Sequence, residues 1–307
     1  MLYIGIDGGG TKTKCVLADD NLKIISSAEG KASNPLAVSF DNSANILIKL
    51  IKQVLSKKKS AKDISIVAGI AGCGREAHAQ HLKVFLENEL KKHGINFESL
   101  KIVSDAEIAF EGALGGKSGA LLIAGTGSIL FGKDKNGNLF RTGGYGKIIG
   151  DEGSGFSIGR KGLNAVAKYL DGRGEKTILT EYLMKEFAIN NRDDLITSVY
   201  SKEFDIPNTT RFVINSADKG DKICRQIINE EIEELILHIK AFQKEIDEKE
   251  FPLALSGGLL TNKNFYSQEF KEKVAKQLKG IKIKRAKYPP EIGAVILAKR
   301  IFHYYKS

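Results

Sequence analysis

The amino-acid sequence contains one pattern twice, and this repeat restricts the fold more than any other feature. Residues 2–25 place an apolar strand, a glycine-rich turn, a second strand, a polar turn and a third strand in that order, and residues 120–141 do the same. Thr11 of the first copy aligns with Thr126 of the second. An Asn-Gly turn in the second copy is typical of a β-hairpin. The repeat therefore predicts two related domains that face each other, each with a sheet that begins with β-hairpins.

The segments outside the repeat alternate helices with single strands, as in mixed α/β domains. Apolar residues at helical spacing predict helices, and short apolar runs predict buried strands. The predicted helices are 42–55, 78–93, 225–248 and 291–302, and the predicted strands are 63–70, 100–103, 251–255 and 280–286. The sequence therefore predicts an α/β protein, and its 307 residues suffice for two domains.

Composition and charge argue against a membrane or a nucleic acid as partner. No apolar run reaches the roughly 18 residues of a membrane span. The net charge is +10, but apart from short runs at 57–59 and 282–287 the lysines are dispersed, without the aromatic residues that stack on bases. The N-terminus lacks the basic start of a signal peptide, so we expect a cytoplasmic protein.

The three cysteines do not form a recognisable metal or disulfide pattern. Cys15, Cys73 and Cys224 are scattered along the chain, and no Cys-x-x-Cys spacing occurs. This arrangement predicts neither a disulfide framework nor a zinc or iron–sulfur site within the chain.

Three glycine-rich turns, each directly after an apolar strand, indicate phosphate binding. They lie at 8–11, 125–128 and 256–259. Backbone N–H groups in such turns can close on phosphate oxygens, because glycine leaves them bare and tolerates the required dihedral angles. Asp7 precedes the first turn and is a candidate ligand, direct or through water, for a Mg²⁺ ion on the phosphates.

Two common phosphate loops do not explain these turns. The segment 115–118 resembles the end of a Walker A loop, but its upstream glycine, Gly112, is one position too close, and the segment precedes a strand. The first turn also lacks the third glycine of a dinucleotide fingerprint, since Thr13 follows Gly8 and Gly10 there.

Asp105 is the candidate general base. It follows a short predicted strand and precedes a helix that is expected to begin near Ala106. A kinase needs a carboxylate that orients and deprotonates a hydroxyl, and such help is worth about 10²–10⁴-fold in rate. The alternative at this position is an ordinary helix N-cap.

The segment 143–155 predicts a sugar-binding loop, because it combines six glycines with the acidic pair Asp151 and Glu152. Carboxylates and amides can satisfy several sugar hydroxyls at once. Asp151 suits this role, and Asn34 in an earlier loop is a second candidate. A flexible surface loop and a plain turn are the respective alternatives.

Several motifs together resemble one family. Asp-Gly-Gly-Gly-Thr at 7–11 resembles the first phosphate motif of the actin, chaperone-ATPase and sugar-kinase superfamily. Ser-Asp-Ala at 104–106, Ala-Gly-Thr-Gly-Ser at 124–128 and the segment 143–154 resemble N-acetylglucosamine kinases and the related glucosamine and N-acetylmuramic acid kinases. The resemblance spans nearly the whole chain.

This resemblance implies two actin-like, ribonuclease H-like domains around a cleft, formed by residues 1–115 with 290–307 and by residues 116–289. It implies ATP with Mg²⁺ as cofactor, an amino sugar as substrate, its 6-hydroxyl as acceptor, Asp105 as base, and a homodimer. The implied nucleotide-binding residues are Gly9, Gly10, Thr11, Lys12, Gly125, Thr126, Gly127, Ala217, Gly257 and Gly258. The implied sugar-binding residues are Asn34, Asp105, Ser128, Gly144, Tyr145 and Asp151, and Asp7 is the implied metal ligand.

Two alternatives share this fold. One is an ATPase of the acyl-CoA reductase and dehydratase activator type, whose cysteines hold an iron–sulfur cluster between subunits. The other is a sugar sensor without catalysis, although Asp7 and Asp105 are both present and the chain has no added DNA-binding helix pair. Which amino sugar is used stays open among N-acetylglucosamine, N-acetylmuramic acid and glucosamine.

Overall fold

The computed structural model describes residues 1–56 and 63–306, so the lysine run at 57–59 lies outside the described residues. The chain divides into two compact units. The first unit comprises Met1–Ser118 and Arg285–Ser307, and the second comprises Gly119–Lys284. No helix among the described residues is long and apolar enough to cross a membrane.

Each unit contains one five-stranded sheet among its described residues. The strands of the first unit are β1 (Leu2–Gly8), β2 (Lys12–Ala18), β3 (Ile24–Lys31), β4 (Ile64–Ile70) and β5 (Ser99–Val103). Those of the second unit are β6 (Gly119–Ala124), β7 (Ser128–Lys133), β8 (Leu139–Gly143), β9 (Phe251–Ser256) and β10 (Ile281–Lys284).

The helices follow the strands in both units. They are α1 (Pro35–Val38), α2 (Phe40–Leu55), α3 (Glu76–Lys92), α4 (Asp105–Leu114), α5 (Gly155–Leu170), α6 (Ile178–Phe187), α7 (Arg192–Val199), α8 (Thr210–Asp218), α9 (Lys222–Ile246), α10 (Gly258–Thr261), α11 (Phe265–Gln277) and α12 (Pro290–Lys306). A 3₁₀ turn at Ile206–Thr209 precedes α8.

The two sheets have the same topology. Their strand orders are β3-β2-β1-β4-β5 and β8-β7-β6-β9-β10. In each sheet the first three strands form antiparallel hairpins, and the last two strands pair in parallel beside the first. The predicted α/β class with duplicated, hairpin-led sheets is therefore confirmed.

The sheet of the first unit is covered on both faces, which explains the continuous apolar character of its central strands. Every residue of β4 is buried. Ile4 and Ile6 of β1 pack on the side of α2 and α3, whereas Tyr3 packs on the side of α4 and α12. Successive strand residues thus contribute to opposite layers of the core.

The last helix packs tightly because glycines remove side chains at its contacts. A β-carbon on Gly5 of β1 would overlap the carbonyl oxygen of Glu291, and one on Gly293 would overlap the carbonyl oxygen of Ile108. Only glycine permits such close approach of a helix backbone to its neighbours. This packing brings the first turn of α12 beside β1 and β2.

Some predicted boundaries were wrong, as is usual for element ends. The third strand runs over Ile24–Lys31 instead of beginning at residue 22, because Leu22 adopts a positive φ of 62° in the turn before it. The last strand is only Ile281–Lys284, and α9 begins at Lys222, where Asp221 caps it. The last helix extends four residues beyond the predicted end at 302.

Candidate active site

The first glycine-rich turn joins β1 to β2 and presents an open backbone. The Gly9 N–H donates to the Lys12 carbonyl at 3.0 Å, and the Ser33 N–H donates to the Gly9 carbonyl at 3.3 Å. Gly10 is exposed, and a β-carbon there would meet no atom within 4 Å. Thr11 and Lys12 are also exposed. This turn can therefore receive an anionic ligand on its backbone N–H groups.

Buried hydroxyl groups hold this turn from behind. The Thr13 hydroxyl, fully buried, is 2.8 Å from the Ser33 hydroxyl and donates to the Lys31 carbonyl at 2.7 Å. The Ser43 hydroxyl of α2 donates to the Ser33 carbonyl at 2.6 Å. The sequence does not reveal these supports, because a single serine or threonine in a polar stretch gives no signal of burial.

The candidate metal ligand and the candidate base lie at one edge of the first sheet. Strands β1, β4 and β5 run parallel, so their carboxyl ends meet at the same edge. Asp7 is the penultimate residue of β1, and Asp105 follows β5 by two residues. Burial, with the neighbouring carboxylates of Glu291 and Asp105, raises the pKa of Asp7 to about 6. The nearby Lys12 and Lys14 oppose that rise.

Asp105 is not the N-cap of α4. Ser104 takes that position, since its hydroxyl accepts the Glu107 N–H at 3.1 Å, and Asp105 is the first helical residue. The Asp105 carboxylate accepts the N–H of Ala106 at 3.0 Å. Its side chain is accessible, yet desolvation by the surrounding protein raises its pKa, partly offset by backbone hydrogen bonds. An accessible, partly desolvated carboxylate is suited to general-base catalysis.

Glu291 and Lys14 form an ion pair that sequence analysis did not identify. The Lys14 Nζ lies 2.5 Å from the Glu291 Oε1, and the Glu291 side chain is almost fully buried. The hydrogen bond to Glu291 raises the pKa of Lys14, although burial opposes this rise, so Lys14 stays charged near Asp7. The two residues are 277 positions apart, so only the packing of α12 reveals the pair.

Asn34 has a structural role in addition to its predicted sugar contact. It caps α1, and its Oδ1 accepts the Leu36 N–H at 3.0 Å. Gly72, after β4, approaches so closely that a β-carbon there would overlap the same Oδ1. The Nδ2 group stays available as a hydrogen-bond donor, because the capping bond uses only the oxygen.

The second glycine-rich turn, between β6 and β7, closes on itself and on α5. The Gly125 N–H donates to the Gly127 carbonyl at 2.9 Å. The carbonyls of Gly125 and Thr126 accept the N–H groups of Gly155 and Phe156 at 2.8 and 3.1 Å. A β-carbon on Gly125 would meet no atom within 4 Å, so the turn has one open side.

A pocket of about 580 Å³ adjoins this turn within the second unit. Its size is typical of sites for small molecules and cofactors. Its lining includes apolar groups, amide side chains and parts of two of the three predicted phosphate turns. The lining residues are Gly125, Thr126, Gly155, Asp205, Pro207, Asn208, Thr210, Arg211, Ile214, Asn215, Gly258, Leu259, Asn262 and Asn264. The amides and the apolar groups can together receive a nucleoside.

The predicted adenosine contacts occupy different depths near this pocket. Gly258 lines it, whereas Gly257, with a φ of +84°, lies against β6, where a β-carbon would overlap the Ala124 carbonyl oxygen. Ala217 is fully buried on α8, and Ile214 and Asn215 of the same helix line the pocket instead.

The predicted sugar loop brings Ser128 and Asp151 together. The Ser128 N–H donates to the Asp151 Oδ1 at 3.4 Å, and the Ser128 hydroxyl donates to the Glu152 carbonyl at 2.5 Å. Asp151 adopts a positive φ of 60°, which is uncommon for a residue with a side chain and typical of functional sites. Within the described part of the chain its Oδ2 accepts no hydrogen bond, so this oxygen can accept sugar hydroxyls.

Between its ends this loop is exposed. Tyr145, Ile148 and Ile149 are 70%, 87% and 75% exposed. The Arg141 guanidinium donates to the Gly144 carbonyl at 2.8 Å and so fixes the start of the loop. The loop therefore carries polar and apolar groups that a bound ligand can contact.

Within the part of the chain that the structure describes, no group of three or more histidine, cysteine or acidic side chains could hold a metal ion. The residues nonetheless fit a Mg²⁺ ion that is bound mainly by nucleotide phosphates, because such an ion needs only one or two carboxylates and keeps several waters. Asp7, beside the open turn at Gly10, can supply one carboxylate.

Comparison with known proteins assigns the family. The family model described as the BadF/BadG/BcrA/BcrD ATPase family matches residues 4–298. The chain belongs to this ATPase family. It is therefore an ATP-dependent enzyme. The predicted resemblance to the actin, chaperone-ATPase and sugar-kinase superfamily is confirmed.

Three relatives illustrate the similarity. An N-acetylmuramic acid/N-acetylglucosamine kinase from Clostridium acetobutylicum is 34% identical, covering 96% of this chain and 97% of that protein. An N-acetyl-D-glucosamine kinase from Dictyostelium discoideum is 31% identical, covering 97% of both. A solved structure from Chromobacterium violaceum, provisionally assigned as an N-acetylglucosamine kinase, has a TM-score of 0.71 at 21% identity and covers 97% of this chain and 98% of that one. The last similarity concerns the fold alone.

Proposed function

We propose that this enzyme transfers the γ-phosphoryl group of ATP to the 6-hydroxyl of an amino sugar, with Asp105 as general base. One observation carries the proposal most directly. Asp105 is an accessible carboxylate of raised pKa, at the same sheet edge as Asp7 and the open Gly10 turn, while Ser104 performs the capping role. The names of the relatives from Clostridium acetobutylicum and Dictyostelium discoideum support an amino sugar as acceptor.

Each of the two open turns offers backbone N–H groups that a nucleotide phosphate could contact. The backbone at Gly10 and at Gly125 can approach phosphate oxygens without obstruction. Asp7 would hold the Mg²⁺ ion, directly or through water, and the ion would neutralise charge on the phosphates. The pocket beside Gly258 would receive the adenosine, with apolar and amide groups at its walls.

The sugar would bind through side chains with unused hydrogen-bonding capacity. Asp151 offers its Oδ2 and Asn34 its Nδ2, while the Oδ1 of each residue accepts a backbone N–H. Gly144 and Tyr145 lie in the same loop as Asp151, and Ser128 contacts that loop at Asp151 and Glu152, so these three residues would complete the contacts. Asp105 would accept the proton of the 6-hydroxyl as its oxygen bonds to the γ-phosphorus and ADP leaves.

The iron–sulfur ATPase alternative receives no support from the cysteines. Cys15, Cys73 and Cys224 are all buried. Desolvation raises the pKa of the Cys73 thiol to about 11 and that of the Cys224 thiol to about 12. A cluster needs thiolate ligands, which such burial disfavours. A non-catalytic sensor would not require an accessible base such as Asp105.

An ADP-release assay tests the proposal across glucosamine, N-acetylglucosamine, N-acetylmannosamine, N-acetylmuramic acid and glucose. At least one amino sugar should stimulate ADP release, and NMR of the product should place the phosphate on the 6-oxygen. If none of these sugars stimulates turnover, the kinase proposal is wrong.

The variant Asp105→Asn tests the base. It keeps the oxygen that accepts the Ala106 N–H but cannot take a proton, so sugar-dependent kcat should fall at least about 10²-fold. ATP affinity, measured by calorimetry, should stay near wild type. Glu107→Gln, in the same helical turn, is the matched control and should retain most activity. Equal losses in both variants would mean that Asp105 acts only through the helix.

A further inference from the structure

Helix α9 carries a buried carboxylate that contacts the predicted sugar loop. Glu231 is only 1% exposed. Its Oε2 accepts the Gly153 N–H at 2.6 Å, and its Oε1 accepts the Ser157 hydroxyl at 2.8 Å. The Lys161 Nζ lies 2.9 Å from the same Oε1. A buried charge with a cation and two further donors is well compensated, and removing its charge leaves those donors without full acceptors.

A second buried side chain holds the other backbone group of Gly153. Tyr266 of α11 is fully buried, and its hydroxyl donates to the Gly153 carbonyl at 2.8 Å. Gly153 itself has a φ of +77°, and a β-carbon there would overlap the Leu235 side chain. Two elements far away in sequence, α9 and α11, therefore fix both polar groups of one glycine.

In the chain, Gly153 lies between Asp151, the proposed sugar-binding carboxylate, and Gly155, which contacts the second phosphate turn. Two residues before it, Asp151 accepts the Ser128 N–H and, through its carbonyl, the Ser154 N–H at 3.2 Å. Two residues after it, Gly155 donates to the Gly125 carbonyl at 2.8 Å. A displacement at Gly153 would therefore move Asp151 relative to the turn at Gly125.

We propose that Glu231 is a positioning residue, which acts through Gly153 to hold Asp151 in register with the phosphate turn at Gly125. The proposal rests on the proposed function, since it assumes that Asp151 binds the sugar and that the turn binds phosphate. Catalysis by alignment is sensitive to such register, and a displacement of about 1 Å can cost about 10²-fold in rate.

The variant Glu231→Gln tests this role with little change in volume. Glutamine offers one acceptor oxygen where Gly153, Ser157 and Lys161 present donors, and its amide group would face one of them. We expect the KM for the sugar to rise about tenfold or more, with kcat reduced, and kcat/KM for the sugar to fall about 10²-fold. The ATP dissociation constant should change by less than about threefold, because Glu231 does not line the nucleotide pocket.

Two further variants separate positioning from general stability. Glu230→Gln is the matched control, because Glu230 is the preceding residue, is exposed, and also binds Lys161 at 2.9 Å. It should leave both kinetic constants near wild type. Tyr266→Phe removes only the hydroxyl that binds Gly153, and it should raise the sugar KM in the same direction as Glu231→Gln without any change of charge.

The outcomes distinguish this inference from the proposed function. A wild-type enzyme without sugar-dependent turnover would refute the proposed function. An active wild type, with folded Glu231→Gln and Tyr266→Phe variants whose sugar KM and kcat are unchanged, would refute the positioning role alone. Amide exchange gives a readout that needs no activity: the N–H groups of residues 153–156 should exchange faster in Glu231→Gln than in Glu230→Gln. Equal exchange in these variants would also overturn the role.

Discussion

At the scale of single residues, the ionised carboxylate of Asp7 should lower the free energy of unfolding of the protein. Its pKa is raised from 3.8 to about 6, so the folded protein binds the proton more tightly than the unfolded chain. Ionised Asp7 therefore lowers the free energy of unfolding above pH 6, and this penalty disappears below about pH 4. In metal-free buffer, Asp7→Asn should be more stable than wild type by about 1–2 kcal/mol at pH 8, after an allowance for solvent screening.

Urea unfolding at pH 4 and pH 8 measures this difference. Asp63→Asn, at an exposed position before β4, is the control for the same substitution outside the proposed site. The Asp7→Asn enzyme should also lose activity with MgATP, since it lacks the proposed carboxylate ligand. If the Asp7→Asn variant is less stable than wild type at pH 8, burial of the Asp7 carboxylate does not destabilise the folded protein.

The sequence indicates only those site residues whose neighbours in the chain share their role. Asp7 stands beside a glycine turn, and Asp105 lies between a strand and a helix, so the local sequence pattern is enough to select both. Glu291 and Glu231 give no such signal. Their importance depends on burial against Lys14 and Gly153, which lie far away in sequence.

At the scale of elements, the turn after β9 should depend on glycine more than an ordinary hairpin turn does. Gly257 and Gly137 both have positive φ, at +84° and +91°. A β-carbon at Gly257 would overlap the Ala124 carbonyl oxygen, whereas one at Gly137 would meet no atom within 4 Å. Gly137→Ala should therefore cost about 1–2 kcal/mol from the backbone conformation alone.

Gly257→Ala should cost more, because the clash is with backbone and forces β6 and β9 apart at their carboxyl ends. We expect an additional loss of about 1–3 kcal/mol, as for other overpacked sites, and at least tenfold weaker ATP binding. Thermal unfolding and calorimetric titration with ATP measure the two effects. If both variants lose equal stability and bind ATP alike, the close approach at Gly257 has no role in the pocket.

Elements were easier to predict than their ends. Helices α2 and α9 have apolar residues at helical spacing, because each buries one face. Strand β4 is a continuous apolar run, because it buries both faces. The start of β3 depends instead on the conformation of Leu22, a turn property that the residue type does not reveal.

At the scale of the whole molecule, the repeat was decisive. Two copies of one strand order in a single chain required two sheets of the same topology, and the structure contains both. The sequence could not place the return of α12 onto the first sheet by periodicity alone. That packing depends on Gly5, Gly112 and Gly293, where a β-carbon would overlap neighbouring backbone atoms. No one of these glycines alone indicates the contact in the sequence.

The net charge of +10 should affect substrate capture more than chemistry. Arg141 and Lys147 add local positive charge at the proposed sugar-binding loop, and neither forms an ion pair within the described part of the chain. Salt screens such fields, since the Debye length falls from about 10 Å at 0.1 M to about 3 Å at 1 M. Raising KCl over this range should increase the KM for ATP severalfold and leave kcat nearly constant.

The choice of sugar provides the internal control for this salt effect. N-acetylmuramic acid carries a carboxylate, whereas N-acetylglucosamine is neutral, so only the former should gain from Arg141 and Lys147. If both sugars are substrates, the KM for N-acetylmuramic acid should rise severalfold with KCl, and that for N-acetylglucosamine should change by less than about twofold. The double variant Arg141→Gln with Lys147→Gln should remove the difference. Parallel salt curves for the two sugars in the wild type would show that the charge of the loop does not select the substrate.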